Sequence, residues 1–158
     1  MNHSFLFQTL SGGEITLRIL GSVIAGTLIG FERLWHHKVA GLKTNTLVCM
    51  GATIFGMIAT NSGFLQNWSG SQFAIGVITG VGFLGSGIIL QGPGHVQGVN
   101  SAATIWVASA VGLAVGMGEY GLGYISLAAI LIVQFTHRRI ENEVSYRNSP
   151  ENLEKTRS

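Results

Sequence analysis

The chain has 158 residues, 47% of them hydrophobic and only 10% charged, and it contains no aspartate. Soluble domains carry about a quarter of their residues as charged side chains, so a water-facing globular domain is excluded and a single compact membrane domain is expected. The net charge of +2 is too small for a nucleic-acid surface, and the distribution of the basic residues speaks to membrane orientation instead. The single cysteine, Cys49, lies in an apolar stretch; it can form no internal disulfide and reads as a small buried apolar residue.

In chain order, Met1–Leu10 has neither a basic n-region nor a cleavage site after a short apolar core, so the first span is expected to stay in the mature protein. Five apolar segments follow, at Ile15–Leu34, Thr46–Gly63, Phe73–Leu90, Ser101–Met117 and Tyr120–Thr136. Each is close to the ~20 residues that cross a bilayer. The fold class is therefore all-α, a polytopic bundle of about five transmembrane helices over residues 1–136. Residues 137–158, which open on His137-Arg138-Arg139, read as a short polar tail. The last two spans are separated by a Gly-Glu-Tyr-Gly turn and form a helical hairpin.

The first loop carries Arg33, Lys38 and Lys43, and the tail opens on Arg138 and Arg139. The second, third and fourth loops hold no lysine or arginine. Basic residues stay on the cytoplasmic side, which puts the first loop and the C-terminus in the cytoplasm and the N-terminus in the periplasm. Arg18, the basic residue before the first apolar core, is too isolated to reverse this. Trp35, Trp68 and Tyr120 fall near the expected interfaces, as aromatic belt residues do.

Glycine is abundant, with 23 copies. At 100° per residue, Gly76, Gly80 and Gly87 share one face of the third span, with Gly82 and Gly85 roughly opposite. A helix small on two faces admits two close neighbours, so the third helix is expected at the centre of the bundle. A break near Gly85–Gly87 is the alternative, because glycine weakens a helix. Gly26-x-x-x-Gly30 in the first span and Gly112-x-x-x-Gly116 in the fourth repeat the packing device. In the fourth span Ser101, Thr104, Ala108 and Gly112 form a small, partly polar seam, with Trp106 and Leu113 turned toward lipid.

Few polar groups could carry chemistry. Glu32 falls in the last turn of the first span, where an acid is a functional candidate because an unpaired charge in low dielectric is costly. It would bind a cation or exchange a proton. The competing reading has it at headgroup level, paired with Arg33, Lys38 or Lys43. Lys43, Thr44, Asn45 and Thr46 enter the second span, and Asn100, Ser101 and Thr104 enter the fourth. All lie on the expected cytoplasmic side and could converge on Glu32 as one polar site. Alternatively Thr44, Asn45, Asn100 and Ser101 cap helices. His36, His37 and His95 lack the spacing of a zinc site and read as interfacial side chains. No catalytic motif is present, so no enzyme activity and no organic cofactor are expected.

Taken together, four ordered blocks resemble the MgtC/SapB family of bacterial inner-membrane proteins. They are Ile29-Gly-Phe-Glu-Arg33, Ala40-Gly-Leu-Lys-Thr44 with Leu47-Val48, Gly80-Val-Gly-Phe-Leu-Gly-Ser-Gly87, and Gly98-Val-Asn-Ser-Ala-Ala-Thr-Ile-Trp106 with the Ala108–Gly116 run. The resemblance covers Leu17 to Thr136. It implies a small polytopic protein linked to magnesium limitation and, in some pathogens, to survival inside host cells. The family was first regarded as magnesium transporters, and its picture has moved toward regulation through contacts with other membrane machinery such as the ATP synthase. Longer members carry a soluble C-terminal domain; the expectation here is the membrane domain alone.

The chain departs from the family pattern at three places. Ser69-Gly-Ser-Gln72 stands where the family has Asp-Pro-x-Arg, Gln97 where it has an arginine, and Lys43 where it has another arginine. Glu32 and Arg33 are kept. Two functions follow as expectations. One is a non-enzymatic regulator acting through helix contacts with other inner-membrane proteins. The other is a magnesium or other cation transporter in which a homo-oligomer gathers several copies of Glu32, since magnesium wants several oxygen ligands.

Overall fold

The computed structural model describes residues 10–35, 39–61, 70–92 and 95–147. Five helices run in order, α1 (Gly12–Trp35), α2 (Leu42–Asn61), α3 (Gly70–Ile88), α4 (Val99–Met117) and α5 (Tyr120–Arg147). Four of them are long and apolar enough to cross a membrane, over Gly12–Phe31, Leu42–Thr60, Ser71–Ile88 and Val99–Met117. In α5 the apolar part is the shorter stretch Tyr120–Thr136, at the lower limit of bilayer-spanning length. The helix does not stop there: residues 137–147, read from sequence as tail, continue it to Arg147. Trp35, Trp68, His36 and His37 lie outside what the structure describes at side-chain level.

A short ribbon that the sequence did not announce joins α3 to α4. Strands β1 (Leu90–Gly92) and β2 (His95–Gln97) pair antiparallel, with Leu90 opposite Gln97 and Gln91 opposite Val96. Gly98 then turns the chain into α4 at a φ of 90°. It is held so close to the Ile88 carbonyl that any side chain there would collide with it. The Gly98 carbonyl accepts the Ala102 amide at 2.8 Å and begins the helix. At the other end of α4, Gly118 adopts φ 88°. Its amide donates to the Val115 carbonyl at 3.1 Å while Glu119 donates to Ala114 at 2.9 Å. This is a left-handed glycine stop, and it makes the α4–α5 hairpin as tight as the sequence implies.

The arrangement of the helices corrects one expectation. The all-α bundle stands, but α4 occupies its centre and α3 lies at its edge. In α4, 61% of the span is buried, against 17% in α3 and 33% in each of α1 and α2. The reason is visible at the glycines. A methyl group added at Gly112 would meet the Cys49 carbonyl, and one at Gly116 the Thr53 carbonyl. One at Gly56 would come within 2.8 Å of the Leu113 carbonyl. The backbones of α2 and α4 therefore touch from Cys49 to Gly56 on α2 and from Gly112 to Gly116 on α4. Likewise, Gly26 and Gly30 let α1 settle on α2, within 2.7 Å of Thr46 Cα and 2.6 Å of Leu42 Cα for a hypothetical Cβ. By contrast Gly76, Gly80, Gly82 and Gly87 of α3 have no neighbour within 4 Å. Among the described glycines of that helix, Gly85 alone meets a partner, Ala102 of α4 at 3.5 Å. No break occurs near Gly85–Gly87; α3 runs unbroken to Ile88.

Two apolar clusters fill the interior. Ala25 and Ile29 of α1, Cys49 of α2, Ala108 and Val111 of α4 and Leu127 of α5 form the larger. Ala40, Val81 and Ile105 form the smaller, with Val48, Val77 and Ile88 against it. Cys49 is fully buried in the larger cluster, in the role its surroundings in the sequence suggested.

Candidate functional site

The polar side chains expected to converge do so in part. Gly30 brings the end of α1 against the first turn of α2, and Arg33 one turn later points into the bundle. Its side chain is only 3% exposed, and its Nη2 donates to Ser101 Oγ at 3.1 Å. Asn45 is completely buried beside Gly30. Its Nδ2 donates to the Gly41 carbonyl at 2.8 Å and lies 3.4 Å from that of Ala40. Thr104 is buried and returns its hydroxyl to the Asn100 carbonyl at 2.8 Å. Arg33, Asn45, Ser101 and Thr104 thus gather at one end of the α1–α2–α4 unit.

The remaining predicted members stand apart. Lys43 and Asn100 are exposed, and Thr44 is half-buried. Residue 32 is helical within α1, but the Glu32 side chain lies outside the described residues, as do those of His36 and His37. Among the described residues no cluster of three or more His, Cys or acidic side chains could hold a metal ion.

The capping alternative does not hold for the buried pair. Asn45, inside α2, donates back to the Gly41 carbonyl just before the helix, and Ser101 accepts from Arg33 across the bundle. The residue at the start of α4 is Gly98, with no side-chain cap. Asn45 Oδ1 is buried without a hydrogen-bond partner among the described residues.

A second polar site escaped the sequence reading. Arg18, set aside there as isolated, is 6% exposed and sits roughly 22 Å along α1 from Arg33. Its Nη1 donates to the Gly116 carbonyl at 2.6 Å, its Nε donates to the Tyr120 hydroxyl at 3.0 Å, and its Nη2 pairs with Glu14. The guanidinium also lies 5.6 Å from the Tyr120 ring centroid, within cation–π range. Tyr120 stacks on Tyr124, and Gly21 leaves room for the Tyr124 hydroxyl. Two signals could have found the site: the Glu14-x-x-x-Arg18 spacing, which places an ion pair on one helix face, and the rule that an arginine in a span faces the bundle interior. Tyr120 is therefore more than an interfacial aromatic; it receives a buried cation.

Between these two ends the α1–α2–α4 seam is tightly packed. Its hydroxyls find partners within the bundle, Ser22 with the Ile19 carbonyl, Thr53 with the carbonyls of Gly112 at 2.7 Å and Cys49, Ser109 with that of Trp106, and Thr27 with Thr46. The seam residues Ser101, Thr104, Ala108 and Gly112 are all buried, and Trp106 is half-exposed, as their spacing implied.

The MgtC family pattern matches residues 19–143. Protein MgtC of Brucella abortus (strain 2308) is 39% identical over 115 residues, which cover 73% of this chain and 47% of that relative. Protein MgtC of Salmonella typhimurium (strain LT2) is 36% identical over 117 residues, 74% of this chain and 48% of the relative. The chain spans about half the length of the curated relatives it matches. No solved structure matches it. With its long apolar helices, its buried arginines and this match over most of its length, the chain is a multi-pass membrane protein and belongs to the MgtC family.

Proposed function

We propose that the protein is a non-enzymatic regulator in the bacterial inner membrane, acting in adaptation to low magnesium by contact with the helices of other membrane proteins. The observation that carries this reading is the contrast between the tightly packed seam and the outer face of α3. Ile75, Thr79, Gly82, Phe83 and Ser86 are all exposed and share one side of the helix at 100° per residue. Thr79, Gly82 and Ser86 form a small-residue line flanked by the large apolar side chains of Ile75 and Phe83. Close helix approach in lipid needs such a line. The magnesium link rests on family membership and on the resemblance in the four sequence blocks. The orientation rests on the basic first loop and tail, which put the N-terminus in the periplasm and the C-terminus in the cytoplasm.

The tightly packed α1–α2–α4 seam weighs against a cation path through a single copy, because a hydrated magnesium ion gives up its water reluctantly. A deletion strain grown in low magnesium tests the proposal. Complementation is expected from wild type and from Ile125→Leu, at an exposed position on α5, and is expected to fail with Gly82→Leu although that protein accumulates normally. Full rescue by Gly82→Leu would refute contact through this face. Magnesium flux into liposomes carrying the wild-type protein, abolished by Glu32→Gln, would establish transport in its place.

A further inference from the structure

The other side of α3 carries a groove that the function above does not use. Between α2 and α3 lies an apolar cavity of about 690 Å³, lined by Val48, Gly51 and Phe55 on one wall and by Gly76, Gly80 and Leu84 on the other. It shares Val48 and Leu84 with a second hollow of about 420 Å³ that contains Thr44 and Ser86. The two hollows adjoin along the helices, the first lined mainly by apolar side chains and the second bearing hydroxyls near the end where α2 begins and α3 finishes. Lys43 is exposed at that end, one turn before Leu47 on the stripe that lines the groove. Gly76 and Gly80 keep the first hollow open: a Cβ at either would meet nothing within 4 Å, so the space a side chain would take is left to the groove.

Size and charge together select the occupant. A helix lying along α3 from Gln72 to Leu84 would need roughly 1400–2000 Å³ at its usual diameter, two to three times the main cavity. The cavity of about 690 Å³ instead falls within the ~300–1,000 Å³ of small-molecule sites. A site open sideways to the bilayer takes its ligand from the bilayer. Its polar end offers a lysine and two hydroxyls, which suit a phosphate group. We infer that the α2–α3 groove binds one phospholipid, an acyl chain lying over Gly76 and Gly80 and an anionic headgroup held at Lys43, Thr44 and Ser86. This site borders the contact face of the regulator proposal at Phe83 and Ser86, but its acyl-chain part over Gly76 and Gly80 is not used by that proposal, so Gly80→Leu and Gly82→Leu test the two separately.

The test titrates the purified full-length protein in detergent with phosphatidylglycerol or phosphatidylcholine and counts retained lipid by native mass spectrometry. Wild type is expected to hold one phosphatidylglycerol per chain, at least tenfold tighter than phosphatidylcholine. Gly80→Leu, which fills the groove from an unobstructed position, is expected to weaken retention at least tenfold with an unchanged melting temperature. Lys43→Gln is expected to keep a bound lipid but lose the preference for the anionic headgroup. Equal retention by wild type and Gly80→Leu overturns the inference. So does an equal loss in Ile125→Leu, which would mark the lipid as unspecific annulus. A wild-type dimer that Gly80→Leu dissociates, with lipid retention unchanged, would show the groove to be a contact between copies of this chain.

Discussion

The fourth helix and the third are both rich in glycine, and the bundle uses the residue in opposite ways. In α4, Gly112 and Gly116 are places where another backbone sits: the carbonyls of Cys49 and Thr53 occupy the space of the missing side chains. In α3, Gly76 and Gly80 face an open groove and Gly82 an open outer surface. Small residues permit close approach, but they do not summon a partner. What decides is the hydrogen bonding and packing around them. The α2–α4 seam is joined by Thr53 Oγ1 donating to the Gly112 carbonyl and by the buried side chains at its two ends. Between Gly76 and Leu84 the α2–α3 face is lined by apolar side chains, and in lipid an apolar surface gains little by leaving its surroundings.

The contrast can be broken by substitution. The largest effect is expected for Gly112→Ala, whose methyl would strike the Cys49 backbone. Overpacking against a backbone that cannot yield should cost on the order of 3 kcal/mol, read as a large fall in melting temperature in detergent. A Gly112→Ala protein that melts with wild type would erase the distinction between the two helices. Next comes Arg18→Met, which removes the donors to the Gly116 carbonyl and the Tyr120 hydroxyl. A loss of about 2 kcal/mol is expected from the groups left unsatisfied, with Tyr120 fluorescence reporting the looser α4–α5 turn.

Ser101→Ala takes away the hydroxyl that receives Arg33 and should cost about 1 kcal/mol by the same melting assay. A cost above that of Arg18→Met would mean that the Arg33 end is the stronger tie. Smallest is Gly80→Ala, where open space awaits the methyl. The change should stay within about 0.5 kcal/mol of wild type or stabilise the helix slightly, since alanine is the better helix former. A clear destabilisation would mean that the groove face of α3 is packed after all.

The two buried arginines show where reading by residue type succeeds and where it stops. Arg33 was found because it adjoins Glu32 and lies in a motif block, and its inward face follows from its position beside Gly26 and Gly30. Its partner Ser101 is 68 residues away, and no local rule selects that serine over Asn100, which is exposed. Arg18 has a local signal in Glu14, four residues before it, yet its tie to Gly116 and Tyr120 needs the α4–α5 hairpin to fold back against α1.

By itself, the sequence determined the membrane class, the helices and their order, the tight α4–α5 turn and the family. Each of these follows from composition, from the length of apolar runs, from a glycine stop or from ordered blocks, all of which are local. It also marked Gly26, Gly30, Gly112 and Gly116 as packing positions. Which glycines are covered, which helix stands at the centre, the ribbon between α3 and α4, and the partners of Arg18 and Arg33 were decided only by the tertiary structure. The reason is that a helix with small residues on two faces is compatible with a central or an edge position. The choice depends on which neighbour can exchange hydrogen bonds with it as well as touch it, and α4 finds that neighbour in α2.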